Sequence, residues 1–269
     1  MFADDVQLYC IQPGSSVEEH ITTVNADLAS VAEWAERNCL QINHSKSKAL
    51  LFGGAINVST LPRIIVNQNS IEITENANNL GVVFQSNLKW DKAVGNQCGK
   101  IYASLRTLKT VGSDFPQLTR LRLFKSLILP HFIFGDVIHL GMSRALARKL
   151  EIALNCCVRY VFRISRRDSV RHLQKELLGC PFNRFYDMRS TIFIHRILHR
   201  RSPEYLHSRL IPFLGRRTGN LVVPAHGSMN YRNSLFVKGV VTWNELPTGL
   251  KRAETEAMFR KGCLDYYNN

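Results

Sequence analysis

Residues 80–108 read LGVVFQSNLKWDKAVGNQCGKIYASLRTL, and the hydrophobic pattern changes within them at Trp90. Residues 80–84 are a short apolar run, which is typical of a strand. Beyond Trp90, apolar residues recur at spacings of three and four, as on one face of a helix; they are Val94, Cys98, Ile101, Leu105 and Leu108. The chain is therefore predicted to be α+β, with short strands before Trp90 and helices after it.

The part before Trp90 begins with a predicted amphipathic helix over residues 15–39. Ser16 and Glu19 have the spacing of a capping box, which satisfies two backbone N–H groups at a helix start. Short apolar runs follow at residues 49–52, 64–66 and 71–73, and the turn-prone insert 67–70 predicts a hairpin between the last two. A helix, a hairpin and short strands are thus expected up to residue 90.

The part beyond Trp90 is predicted to be mainly helical. After the helix at Trp90, a second helix is expected to start at Pro116 and end near Pro130, and a third to cover residues 146–161. Further helices are predicted at 184–200 and 252–266, separated by a Gly- and Pro-punctuated stretch at 210–224. We divide the chain into residues 1–90, 91–180 and 181–269.

The charge is distributed very unevenly. Residues 1–90 contain five Lys or Arg and nine Asp or Glu, a net charge of −4. Residues 91–269 contain thirty Lys or Arg and twelve Asp or Glu, a net charge of +18, and the two parts sum to the overall +14. Such an excess indicates a polyanionic partner, nucleic acid before membrane lipid, although a merely solvated basic surface is the alternative. No apolar stretch approaches the roughly 20 residues of a membrane span, so no membrane partner is predicted.

Cysteine and histidine give little indication of a metal site. The seven cysteines include no C-x-x-C pair, which predicts reduced thiols rather than zinc ligands. His195 and His199 are four residues apart, a spacing that can place two imidazoles on one metal. Neither a glutamate between them nor a cysteine at zinc-finger spacing accompanies them, so structural histidines are favoured.

The first residues carry the chemistry that points to an activity. Phe2-Ala3-Asp4-Asp5 places two carboxylates side by side just before an apolar run. Adjacent carboxylates on a tight turn between strands are suited to hold Mg²⁺, which prefers carboxylate oxygens and bridges to substrate phosphates. The alternative is a pair of solvated residues at a frayed terminus.

The order of the following motifs resembles the reverse transcriptases of non-LTR, LINE-type, jockey-like retrotransposons. Residues 2–9 are similar to the F/Y-A-D-D turn of that family, and residues 34–40 to the end of the helix that follows it. Residues 40–48 resemble its L-x-x-N-x-x-K motif, and residues 80–90 its L-G-V…L-x-W segment. The resemblance continues through N-x-C-V-R-Y at residues 155–160, Y-x-x-S at 231–234 and W-N-x-L-P at 243–247, so it covers essentially the whole chain.

The resemblance implies a function for each part. Asp4 would be the main Mg²⁺ ligand, Asp5 its weaker neighbour, and Lys46 would lie near the phosphates of the incoming nucleotide; a surface lysine is the alternative for Lys46. Residues 1–90 would be a truncated remnant of the palm. Residues 91–180 would be the thumb that grips an RNA template and DNA primer, in the cytoplasm and nucleus. Its candidate nucleic-acid-binding residues are Lys92, Arg106, Lys109, Arg120, Arg122, Lys125, Arg163, Arg166, Arg167 and Arg171.

In that family a further aspartate, the fingers and an endonuclease precede the F/Y-A-D-D turn, and here Met1 stands directly before it. The chain is therefore expected to be a polymerase fragment that is inactive alone, or alternatively a non-catalytic RNA- or DNA-binding module derived from such an element.

We accordingly expect no primer extension by this chain with Mg²⁺ or Mn²⁺, because two adjacent carboxylates complete too little of the octahedron that Mg²⁺ requires. Incorporation of labelled nucleotide on a primed RNA template measures this. Template-dependent synthesis that is lost in Asp4→Ala would contradict the expectation.

Overall fold

The computed structural model describes residues 5–11, 14–53, 57–112, 114–215 and 219–268. They form two compact units, residues 1–89 and residues 90–269. The first contains a helix and short strands, and the second is almost entirely helical. The predicted α+β class is confirmed.

Unit 1 is built on helix α1, Val17–Arg37, which begins with the predicted capping box between Ser16 and Glu19. The inner face of α1 packs against a small sheet, since leucine, isoleucine and valine at three- and four-residue spacing lie along it. The buried core of this unit consists of Ile21, Ala32, Ile64, Val66 and Ile71.

One sheet in the described part of unit 1 has three strands in the order β1-β3-β2, with β1 at Lys48–Ala49, β2 at Ile64–Val66 and β3 at Asn69–Ile73. Strands β1 and β3 are parallel, and β2 and β3 form the predicted hairpin. Its turn consists of Asn67 and Gln68, both with positive φ (46° and 64°), as a type I′ turn requires.

Residues 80–84 do not form one continuous strand, and that prediction is wrong. Strands β4, Asn76–Asn79, and β5, Val82–Gln85, pair antiparallel, and Leu80 and Gly81 form the turn between them. Both turn residues have positive φ, 48° for Leu80 and 84° for Gly81. The apolar side chain of Leu80 concealed the turn, because leucine seldom adopts this backbone conformation.

The outer edge of β2 is covered by a side chain of α1. The Asn25 amide donates a hydrogen bond to the Arg63 carbonyl at 2.9 Å, and its oxygen accepts one from the Ile65 N–H at 2.9 Å. In the β2–β3 register these two backbone groups point away from β3, so Asn25 satisfies the groups that an additional strand would otherwise bind.

Unit 2 contains four long helices: α2, Asp91–Val111; α5, Arg144–Phe162; α7, Phe182–Arg200; and α12, Glu256–Asn268. Shorter helices connect them, namely α3 at Gln117–Leu123, α4 at Leu129–Ile133, α6 at Gln174–Leu178, α8 at Glu204–His207, α9 at Met229–Arg232, α10 at Val240–Glu245 and α11 at Thr248–Lys251.

The second predicted helix continues three residues past Pro130. A π-helical turn at Phe124–Ile128 joins α3 to α4, and Pro130 lies within the first turn of α4, so helical backbone continues to Ile133. The Leu129 N–H bonds to the Phe124 carbonyl five residues back. The wider turn accommodates Pro130, which has no N–H to donate and whose ring clashes with an ordinary helical turn.

A single hydrophobic core joins the helices on both sides of Pro181. α5 packs on α2, while α7 packs on α10 and α12, and the side chains of all of them meet in one buried cluster. Its fully buried members include Phe124, Phe132, Leu150, Leu154 and Phe259. Residues 90–180 and 181–269 therefore share one interior.

The cysteines are free thiols, as predicted. Burial raises the pKa of Cys180 and of Cys263 to about 12, so both stay protonated at neutral pH.

Replacing Asn25 with alanine tests the role of this side chain at the β2 edge. We expect the free energy of unfolding of unit 1 to fall by about 1–2 kcal/mol. We also expect faster hydrogen exchange at the Ile65 amide and more self-association, because the strand edge becomes available to another chain. Hydrogen exchange and light scattering measure the two effects. Asp27→Ala, an exposed change on the same helix, is the control; equal exchange at Ile65 in both variants would contradict the assignment.

Candidate nucleic-acid interface

The last turns of α2 and α5 lie side by side in unit 2. The Tyr160 hydroxyl donates a hydrogen bond to the Leu108 carbonyl at 3.2 Å, which joins the two helix ends. Lys109 follows Leu108, and Arg163 terminates α5 in the left-handed conformation with φ 54°. Two of the predicted binding residues, Lys109 and Arg163, are therefore brought to the same end of the helix pair.

Arg120 lies at this end too, but it is buried. Its side chain is 4% exposed, and its guanidinium carbon is 6.0 Å from the centre of the Tyr160 ring. Burial and the charge of Arg163 both lower the pKa of Arg120. Arg120 therefore supports Tyr160 from inside and adds positive potential, and this crowding of like charge favours an anion nearby.

The loop after α5 carries the densest group of predicted residues. Arg163, Arg166, Arg167 and Arg171 are all exposed on it or at its ends. Val170 is buried and anchors the far end of the loop. We call residues 163–171 the basic loop.

Arg159, one turn before the end of α5, holds the basic loop in place. Its guanidinium donates hydrogen bonds at 3.3–3.5 Å to the backbone carbonyls of Asn155, Ser165, Arg166 and Asp168. Sequence reasoning identified Arg159 only as part of the N-x-C-V-R-Y resemblance and missed this role. The loop carbonyls follow Arg159 by six to nine residues, beyond the end of the helix, where helical spacing does not indicate them.

The outer face of α2 extends the positive surface. Lys92 and Arg106 are both exposed there, separated by fourteen residues or about 21 Å along the helix. Between them the exposed positions contain no acidic residue; they are Gly95, Asn96, Gly99, Lys100, Tyr102 and Ala103. A Cβ atom added to Gly95 or Gly99 would meet nothing within 4 Å, so the helix backbone is accessible from outside.

Arg122 and Lys125 are exposed as well, on α3 and the π-helical turn. Arg122 is two residues from Arg120 and hence about 200° around the helix, so it points away from Tyr160. The predicted residues therefore do not form one compact cluster.

Two of the three residues predicted for polymerase chemistry, Asp5 and Lys46, are among the described residues. Asp4 lies outside the described residues. Asp5 is exposed, and Lys46 is exposed in a turn where its N–H bonds to Asn43. Within the described ranges no group of three His, Cys, Asp or Glu could hold a metal ion.

His195 is buried in the core of unit 2, and His199 is exposed one turn further along α7. Their rings stack with centroids 5.7 Å apart, and His195 also stacks on Phe259 at 4.1 Å. Nε2 of His195 lies 3.2 Å from the Ala253 carbonyl. Burial lowers the pKa of His195 and keeps it neutral at pH 7.

Comparisons of the chain with protein-family models, curated proteins and solved structures gave no match. None of the described helices has the length and apolar character needed to cross a membrane.

Substituting Arg159 with alanine tests the anchoring of the basic loop. We expect the free energy of unfolding to fall by about 1–2 kcal/mol, because the substitution removes the hydrogen bonds from a charged donor to the backbone carbonyls. We also expect faster amide exchange in residues 164–170. Thermal unfolding and hydrogen exchange measure these changes. Arg148→Ala, which removes an exposed arginine of the same helix, is the matched control, and equal loop exchange in both variants would refute the role of Arg159.

Proposed function

We propose that this chain is a fragment of an RNA-directed DNA polymerase of the non-LTR retrotransposon type, whose helical unit grips duplex nucleic acid. The observation that carries the proposal is the acid-poor basic surface formed by the basic loop and the ends of α2 and α5. The order of the sequence motifs supports the polymerase assignment, since the F/Y-A-D-D turn precedes an α+β part and a basic helical part follows.

The basic surface suits binding to the phosphate backbone rather than to particular bases. Arginine and lysine side chains neutralise phosphates and release condensed counterions, which gives affinity without sequence preference. A loop tied down by Arg159 presents its guanidinium groups in a limited set of positions, so less side-chain and backbone entropy is lost on binding. A template–primer duplex has to slide through such a grip, and contacts of this kind permit sliding.

Nucleotide transfer would belong to the complete enzyme. There Asp4 and Asp5 would hold Mg²⁺, which supplies activation of the primer hydroxyl and neutralisation of the leaving pyrophosphate. Lys46 would contribute positive charge beside the phosphates. The activity proposed for this chain itself is nucleic-acid binding.

The second candidate is a non-catalytic binding module derived from a retrotransposon, and the same basic surface favours it. Coding sequence for fingers and the remaining palm, in frame upstream of Met1, would favour the polymerase fragment. An unrelated upstream sequence would favour the module. Both candidates require that unit 2 binds nucleic acid.

The salt dependence of binding to an RNA–DNA duplex tests the proposal. With four to five phosphate contacts, we expect the logarithm of the association constant to fall against the logarithm of salt concentration with a slope of about −4. Removing two charges of the basic loop, as Arg166→Gln with Arg167→Gln, should make the slope less steep by about 2. Fluorescence anisotropy of a labelled duplex measures both.

The control removes the same charge elsewhere in unit 2, as Arg260→Gln with Lys261→Gln on α12, where both side chains are exposed. That variant should keep the slope of the unmodified chain. A slope near zero for the unmodified chain would refute nucleic-acid binding, and equal slopes for the two variants would refute the basic loop as its site.

A further inference from the structure

Residues 211–213 and 220–222 form a short antiparallel hairpin in unit 2. The Phe213 N–H donates to the Asn220 carbonyl at 2.9 Å, and the Val222 N–H donates to the Ile211 carbonyl at 2.8 Å. Pro212 and Leu221 are directly opposite each other. The sequence indicated only a Gly- and Pro-punctuated stretch here.

Two residues of the Trp-Asn motif at 243–247 fix this hairpin to the helices. The Trp243 indole N–H donates to the Gly219 carbonyl at 2.9 Å. The Asn244 side chain brackets Leu221, donating to its carbonyl and accepting from its N–H, both at 2.8 Å. Leu210 and Leu221 are themselves buried, so the hairpin is anchored on its inner side.

The outer side of the hairpin is apolar and exposed. Because side chains alternate along a strand, Ile211, Phe213 and Val222 lie opposite Leu221. They are 56%, 49% and 40% exposed. The Phe213 ring lies against the backbone of Gly215, where an added Cβ would come within 2.2 Å of a ring carbon.

The sequence around this apolar face is rich in positive charge. Residues 199–232 contain six arginines and one acidic residue, Glu204; Arg216 and Arg217 among them lie outside the described residues. Arg209, just before the hairpin, places its guanidinium 4.0 Å from the centre of the Phe236 ring and donates to the Tyr231 hydroxyl at 3.3 Å. Tyr231, of the Y-x-x-S motif, and Phe236 thus orient an exposed arginine next to the hairpin.

We propose that the hairpin binds single-stranded nucleic acid, with a base stacked on Phe213 and backbone phosphate at Arg209. A half-exposed aromatic ring beside an exposed arginine is the combination that single-strand binding uses, since every base offers a face for stacking. A duplex keeps its base faces paired and stacked, and therefore offers none to Phe213. This inference rests on the proposed function in one respect, that the ligand is nucleic acid. It adds a second site, which binds an unpaired strand.

The test compares a labelled 20-nucleotide oligouridine with an RNA–DNA duplex in anisotropy titrations of the full chain. Phe213→Ala should weaken oligouridine binding about 10-fold, and duplex binding should change less than about twofold. Leu214→Ala, which alters the neighbouring and almost fully exposed side chain, should change neither. Phe213→Trp should add indole fluorescence to that of the three native tryptophans, and oligouridine should quench the variant more than the unmodified chain, whereas duplex should not.

The outcomes separate this inference from the proposed function. Unchanged oligouridine affinity in Phe213→Ala, with salt-dependent duplex binding retained, overturns the hairpin site and leaves the proposed function standing. Absence of binding to either nucleic acid overturns both. A self-association equilibrium that Phe213→Ala removes without affecting oligouridine binding would make the face a contact between copies of the chain and would also overturn the proposal.

Discussion

The burial of α5 is the constraint on which the rest of unit 2 depends. Leu150, Ala153, Leu154, Cys157 and Val158 are completely buried along one side of this helix. A helix with such a wide apolar face cannot rotate about its axis without exposing it, and each large side chain exposed would cost about 1.5–3 kcal/mol. The directions of the side chains in its last turn are therefore fixed by packing further back.

Two of those directions determine the basic surface. Tyr160 reaches the last turn of α2, and Arg159 reaches the loop beyond α5. Neither residue needs to contact nucleic acid to matter for binding, because their contacts decide where Lys109, Arg166 and Arg167 are displayed. The positive charge is thus presented by a rigid helical core, which is the arrangement that reduces the entropy lost when a polyanion binds.

Asparagine side chains perform the same task in both units. Asn25 bonds to the outer edge of β2, and Asn244 bonds to the backbone of Leu221. In each case one amide supplies both a donor and an acceptor to a strand, as a neighbouring strand would. Strands of two or three residues can end a sheet in this way without leaving their backbone groups open to another chain.

The sequence predicted the long elements and missed the tertiary contacts. Helices α1, α2 and α5 have clear three- and four-residue periodicity, and the α1 capping box was visible in two residues. The turn at Leu80 was missed because apolar residues such as leucine rarely adopt positive φ, so the local sequence does not indicate a turn there. Likewise, burial of Arg120 depends on Tyr160, forty residues away, and local periodicity carries no information about that contact.

Hydrogen exchange of the full chain, with and without an RNA–DNA duplex at low salt, tests the central claim most directly. The account predicts slower exchange of backbone amides in the basic loop and in the last turn of α2 when duplex is bound, with α12 unchanged. Protection confined to residues 5–85, or the same exchange in both states at saturating duplex, would contradict it.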